Sequence, residues 1–245
     1  MVYVFDGTKI GFLTALLIAF SDPVAIVTSK QTQIPLGMTV MQVHNDPVRA
    51  KKAEERLFSF DPDCLFDLDR LLRSGMQNNE QLAFRYLRFI AQEKRPVSKR
   101  LANPDVFAAV ECIKKVGLEI HKMHGFIRFM ETASGALYAP FSPDNDICDL
   151  ILPHFRARLP QFPFVLHDVK RKKAAVYDGT STFVAPLAQA DVLLSADELG
   201  WQSLWKEYYG AVNIPSRKRL KQMRGYMPQR YWKFLPERQE SPPDL

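Results

Sequence analysis

The sequence predicts an α+β protein: antiparallel hairpins with an intervening helix, surrounded by several helices, behind an N-terminal strand-helix-strand unit. Three observations lead there. Apolar residues recur at three- and four-residue spacing in most of the chain before position 125. After it the period changes to two. The two period-two regions are separated by one more amphipathic stretch, so the order is hairpin, helix, hairpin.

The elements follow in order. Tyr3 to Phe5 is β-prone, and Asp6-Gly7-Thr8 is a turn whose Asp or Thr caps a helix running to Phe20. Met38 to Val43 reads as a second strand, and Asp46-Pro47 opens a charged helix to about Phe58. That order permits a right-handed βαβ unit if the strands are parallel, or two strands of an antiparallel sheet. Asp63 to Gly75 and Asn79 to Glu93 carry Leu65, Leu68, Leu72 and then Leu82, Tyr86, Phe89 at helical spacing. The basic, proline-broken connector at 94–103 is the candidate subdomain boundary in an otherwise single domain spanning 1–236, with 237–245 as a flexible tail.

Asn103-Pro104-Asp105 is a helix start with a capping side chain and proline at the first position. The stripe Val106, Val110, Ile113, Gly117, Ile120, His124 is its buried face, and Gly125 ends it. Phe126–Met130 with Ala136–Pro140, and Phe164–Val169 with Lys173–Asp178, are the hairpins. Asp144 to Leu159 is the helix between them. A last clear helix, Ala196 to Tyr209, carries Trp201, Leu204, Trp205 and Tyr208.

The composition of the 245 residues, 47% hydrophobic and 24% charged, is that of a globular protein able to bury a core without staples. Cys64, Cys112 and Cys148 lack CxxC spacing, which excludes a disulfide framework or zinc ribbon and leaves reduced core thiols. The apolar run Ile10 to Phe20 has no basic start and no cleavage site, and a bilayer needs about twenty residues. A cytoplasmic protein without membrane contact is expected.

The net charge of +6 directs attention to where the cations lie. Arg217, Lys218, Arg219, Lys221, Arg224, Arg230 and Lys233 occur with no acidic residue between them, interleaved with Tyr226, Tyr231, Trp232 and Phe234. Cations neutralise phosphates and aromatic faces stack on unpaired bases, the combination single-strand binders use. The alternative is that the aromatics plug the core while the cations stay solvated.

Four histidines, His121, His124, His154 and His167, fall between Glu119 and Gly179 with Arg128, Arg156, Arg158, Lys170 and Arg171. His121, His154, His167 and Asp168 are the candidates for acid-base work, against the plainer reading of hydrogen-bonded packing. His167 and Asp168 are adjacent on a strand, so their side chains point to opposite faces and do not act as a couple. No HExxH or cysteine-rich partner supports a metal, and no phosphate loop, GxGxxG or CxxxCxxC motif supports a cofactor.

FDGT, GLEIHKMHGFIRF, LYAPFSPD, ILPHFRARL, VLHDVKRKKAAVYDG and MPQRYWKFLPE, in this order, resemble the bacterial DNA-metabolism and DNA-repair proteins linked to a radical-SAM enzyme. The resemblance implies DNA, single-stranded or damaged, as a partner, together with a radical-SAM protein, and a related domain fused to uracil-DNA-glycosylase-like proteins. It carries no established activity. The positions it brings over are His121, Gly125, Phe126 and Arg128; His154, Phe155 and Arg158; His167, Asp168, Lys170 and Arg171; Tyr177 and Asp178; and Met227, Pro228, Arg230, Tyr231, Trp232 and Lys233.

These lines give three expectations: a DNA-binding protein acting with a partner enzyme, an enzyme using His/Asp acid-base chemistry on DNA or a nucleotide, or a protein-interaction scaffold. The nucleic-acid contacts expected are Arg128, Arg158, Lys170 and Arg171 with the segment from Arg217 to Lys233.

Overall fold

The computed structural model describes residues 1–29, 37–214 and 219–239. The chain divides into two compact units, Met1–Gly117 and Leu118–Leu245, and the division falls inside one long helix. Residues 94–103 lie within the first unit, as the connector between its last two helices.

In the first unit, β1 (Val2–Val4) pairs in parallel with both β2 (Ile26–Thr28) and β3 (Val40–Gln42), giving the order β2-β1-β3. The parallel alternative for the N-terminal strands is therefore the one realised. Helix α1 (Lys9–Ala19) crosses from β1 to β2, capped by Thr8, whose hydroxyl accepts from the Gly11 amide at 3.0 Å. Its Phe12, Leu13, Ala15, Leu16 and Ala19 are all buried, as expected of a helix apolar nearly all round. Among the described residues no helix is long and apolar enough to cross a membrane.

Gly11 is needed where it stands, because a side chain there would run into Asp6 and Asn45. These two are joined by a hydrogen bond at the carboxyl ends of β1 and β3. Helix α2 (Pro47–Phe60) starts at Asp46, whose carboxylate accepts from the Val48 and Arg49 amides. Helices α3 (Cys64–Arg73) and α4 (Asn79–Glu93) complete the core with the start of α5 (Pro104–Phe126), which Asn103 caps as its sequence predicts.

The second unit is built on a five-stranded sheet of order β4-β5-β6-β7-β8. Its strands are β4 (Met130–Glu131), β5 (Leu137–Phe141), β6 (Phe164–Asp168), β7 (Lys173–Tyr177) and β8 (Thr182–Pro186). The two hairpins are present, and the intervening helix, α6 (Cys148–Arg158), carries the chain between them so that β5 and β6 pair in parallel. One face of the sheet, with Ala139, Phe164, Leu166 and Ala175, is sealed by Cys148, Ile151, Leu152 and Phe155 of α6. Phe129 adds an edge-on ring contact to both Phe155 and Phe164.

The rest of the unit is α7 (Glu198–Val212), α8 (Leu220–Tyr226) and two 3₁₀ turns, Gln229–Phe234 and Pro236–Arg238. Residues Glu237 and Gln239, counted with a flexible tail in the sequence, are held in place. The Glu237 carboxylate meets Arg128 at 2.9 Å and accepts from the Trp205 indole at 2.9 Å. Residues 240–245 lie outside the described residues.

Candidate functional site

Period two puts Met130, Tyr138, Pro140, His167 and Val169 on the face of the sheet opposite α6. They form the floor of a cavity of about 500 Å³. Ala188, Gln189 and Ala190, which follow β8, and Gln202 of α7 make its side, and Lys233, Phe234, Pro236 and Gln239 its roof. Arg128 stands at the edge. Among the described residues no carboxylate lines this space.

His167 is 2% exposed, and both ring nitrogens are engaged. Nδ1 lies 2.6 Å from the Tyr138 hydroxyl and Nε2 lies 3.0 Å from the Leu187 carbonyl. A carbonyl only accepts, so Nε2 carries the proton and Nδ1 accepts from Tyr138. Burial pulls the His167 pKa below its ordinary value, opposed by the Leu187 carbonyl and the Asp168 charge, and burial pushes the Tyr138 phenol up to about 12. The pair is a neutral, fixed wall.

Asp168 projects to the opposite face and is fully buried. Its carboxylate accepts from the Lys170 and Arg171 amides and from the Arg171 guanidinium at 3.0 Å. Arg171 also donates to the Pro143 and Asp144 carbonyls. The turn after β6, with Lys172 at a positive φ, ends the strand's alternation, so the side chain of Arg171 and not that of Lys170 pairs with Asp168. Asp168 and Arg171 together pin this turn to the β5–α6 loop.

Glu119, on α5, is a second buried carboxylate of this kind. It accepts from the Asp144 and Asn145 amides, from the Asn145 side chain and from the Tyr231 hydroxyl. Tyr231, placed among the expected base contacts, is 3% exposed and so offers no free ring face. It anchors the roof. Trp232 is half-buried, donates to the Met227 carbonyl and carries the Arg238 guanidinium on its ring.

The histidines fall into separate surroundings. His124 stacks on His154 with ring centroids 4.0 Å apart, beside a second cavity of about 420 Å³ shared with Arg128, Arg158 and Trp205. Burial, then the charges of His154 and His121, lowers the His124 pKa, and its Nε2 is buried without a hydrogen-bond partner. His121 and His154 themselves are exposed. His154 therefore belongs with His124, His167 with Tyr138, and Asp168 with Arg171. Among the described residues no three His, Cys, Asp or Glu side chains are arranged to hold a metal.

The expected cations also divide. Arg128 donates to the Gly125 and Ile127 carbonyls and to Glu237, and lies over the Trp205 ring, so it shares with Arg171 a structural commitment to protein acceptors. Arg230 pairs with Asp144 at 2.5 Å. Arg158, Lys170, Arg219, Lys221, Arg224 and Lys233 are exposed and make no ion pair with a described carboxylate. Arg217 and Lys218 lie outside the described residues.

Tyr138, Gln202, Gln239 and the two anchoring glutamates, Glu119 and Glu237, were missed in the sequence. Tyr138 alone carried a signal, as an inward position of a predicted strand. The glutamine and glutamate partners are too distant in sequence to be found by spacing.

No curated protein and no solved structure matches this chain. A family model described as a domain of unknown function, DUF4130, matches residues 77–237 and so takes in all of the second unit's sheet and every cavity-lining residue except Gln239. The chain belongs to the DUF4130 family.

Proposed function

We propose that the protein binds single-stranded or damaged DNA and presents it to a radical-SAM enzyme in a bacterial repair or modification reaction. The observation that carries the reading is the set of exposed cations on and beside α8 that meet no carboxylate among the described residues: Arg219, Lys221 and Arg224 with Lys233. Surface cations without carboxylate partners neutralise phosphates at little desolvation cost, and Tyr226, 70% exposed at the end of α8, offers a face for base stacking. The radical-SAM link rests on the resemblance of the ordered motifs. Tyr231 and Trp232 serve this reading by holding the segment down.

Anisotropy of labelled single strands across a salt series tests it. Affinity falls with salt, with a slope of about 0.7 logarithmic unit per neutralised phosphate for each tenfold rise. An Arg219→Ala, Lys221→Ala, Arg224→Ala variant flattens that slope by about two units if each cation meets one phosphate. Binding that ignores salt sinks the proposal. Retention of the strand-bound protein by the purified partner enzyme, with no retention of the strand alone, tests the second half.

A further inference from the structure

We infer that the cavity on the open face of the sheet receives one unpaired nucleobase from a bound DNA strand, an inference that rests on the nucleic-acid reading above. Size is the first argument. A space of about 500 Å³ falls within the range of small-molecule sites, about 300–1,000 Å³, and takes a single heterocycle with part of its sugar.

The lining is the second. Met130, Pro140, Val169 and Phe234 make it mostly apolar, while Tyr138 and Phe234 supply rings against which a flat base can pack. Gln189 brings an amide that both donates and accepts, as the edge of a base requires, while the amide nitrogens of Gln202 and Gln239 are already given to Glu198 and to the Lys233 carbonyl. With no carboxylate among the described lining residues and Lys233 exposed at the roof, the adjoining phosphate meets a cation there.

Unmet hydrogen-bonding capacity is the third. Gln239 donates its amide to the Lys233 carbonyl, which leaves its Oε1 buried without a donor, and the Arg128 Nε–H is likewise buried without an acceptor. Both atoms belong to lining residues but lie beneath the wall's surface, so either side chain must turn before an occupant can meet it. Buried polar atoms are rarely left unpaired in a native state. An exocyclic amine of adenine or cytosine satisfies the first and a ring nitrogen or carbonyl the second. A base extruded from a strand, with its phosphate at Lys233 on the roof, fits this cavity.

The test compares strands that are intact or lack the central base, binding to the native protein and to Ala190→Trp, which fills the cavity from a half-buried lining position. Removing the base is expected to weaken native binding by about tenfold, the effect of losing one well-packed base. Ala190→Trp, confirmed as folded by circular dichroism, binds both strands as the native protein binds the abasic one. Gln239→Leu, which keeps the shape and removes the acceptor, loses a preference for adenine or cytosine over thymine at that position.

Equal affinity for intact and abasic strands, unchanged by Ala190→Trp, overturns the pocket and leaves DNA binding standing. No strand binding at low salt overturns both. Should deoxynucleoside monophosphates alone bind in equilibrium dialysis, and be lost in Ala190→Trp, a free nucleotide replaces the strand as the source and the inference fails as stated.

Discussion

The two faces of the five-stranded sheet share every backbone hydrogen bond and differ in almost everything else. On the α6 face, Ala139, Phe164, Leu166 and Ala175 are fully buried under Ile151 and Phe155, and the buried Asp168 carboxylate there has its donors in place. On the other face the same strands present Tyr138, Pro140 and His167 to the cavity roofed by chain from the far end of the sequence. The lesson is that the first face makes the sheet stable, and the second is free to be polar because it does not have to.

Substitutions sharpen or break that contrast. The largest effect is expected for Phe155→Ala, which opens a void on the sealed face and costs about 3–5 kcal/mol in urea unfolding. Met130→Ala on the cavity floor should cost clearly less, because it enlarges a space already present. Equal costs would show that the two faces do not differ in packing.

Next is Tyr231→Phe, which removes a hydroxyl donor from the buried Glu119 carboxylate. A loss of about 1.5–3 kcal/mol is expected, the range for a hydrogen bond to a charged group. Hydrogen exchange should locate the loosening in residues 229–239 rather than in β5 to β7. Loosening of the α6 face instead would mean that the roof and the sheet open together.

A third test uses pH. Burial lowers the His167 pKa in the folded state below the ordinary value of about 6.5, so the unfolded chain takes up the proton first. Its contribution to stability is complete above about pH 6.5 and is lost as pH falls through the folded value. His124 adds in the same sense. His167→Gln, compared with the native protein by melting at several pH values between 7.5 and 5, should show the shallower decline; parallel curves would remove His167 as a source of acid sensitivity.

The smallest effect is expected at the edge strand. Phe183 of β8 is 50% exposed, and Phe183→Thr should change stability by no more than about 0.5 kcal/mol. A larger loss would show that the open face extends its packing to the sheet edge.

The parts of this arrangement legible in the sequence are those fixed by local period. Asn79 to Glu93 is the predicted helix with its predicted ends, and hairpin, helix, hairpin is the observed order. The opposite facing of His167 and Asp168 also followed from strand geometry. Strand β2, Ile26–Thr28, is as short as β1 and β3 and was missed in the sequence. Strand β8 was hidden because both its faces are largely exposed, so no alternation of apolar residues marks it.

Of the site, the cations were legible and their acceptors were not. Whether an arginine is free for phosphate depends on a partner such as Glu237, which lies 109 residues from Arg128. Likewise nothing near Tyr231 announces Glu119, because a buried carboxylate on an amphipathic helix has the same local pattern as an exposed one.

The roof of the cavity has a kinetic consequence. Tyr231 reaches Glu119 across 112 residues, and the closure entropy of a flexible loop of that length is about 4 kcal/mol beyond a constant. Contacts of such separation bring their reward only after the intervening sheet has formed, so residues 229–239 should dock late in folding and detach early on unfolding. The cavity is then the part of this unit that opens at the lowest free energy, through an excursion of one short segment that leaves α6 and its strands intact.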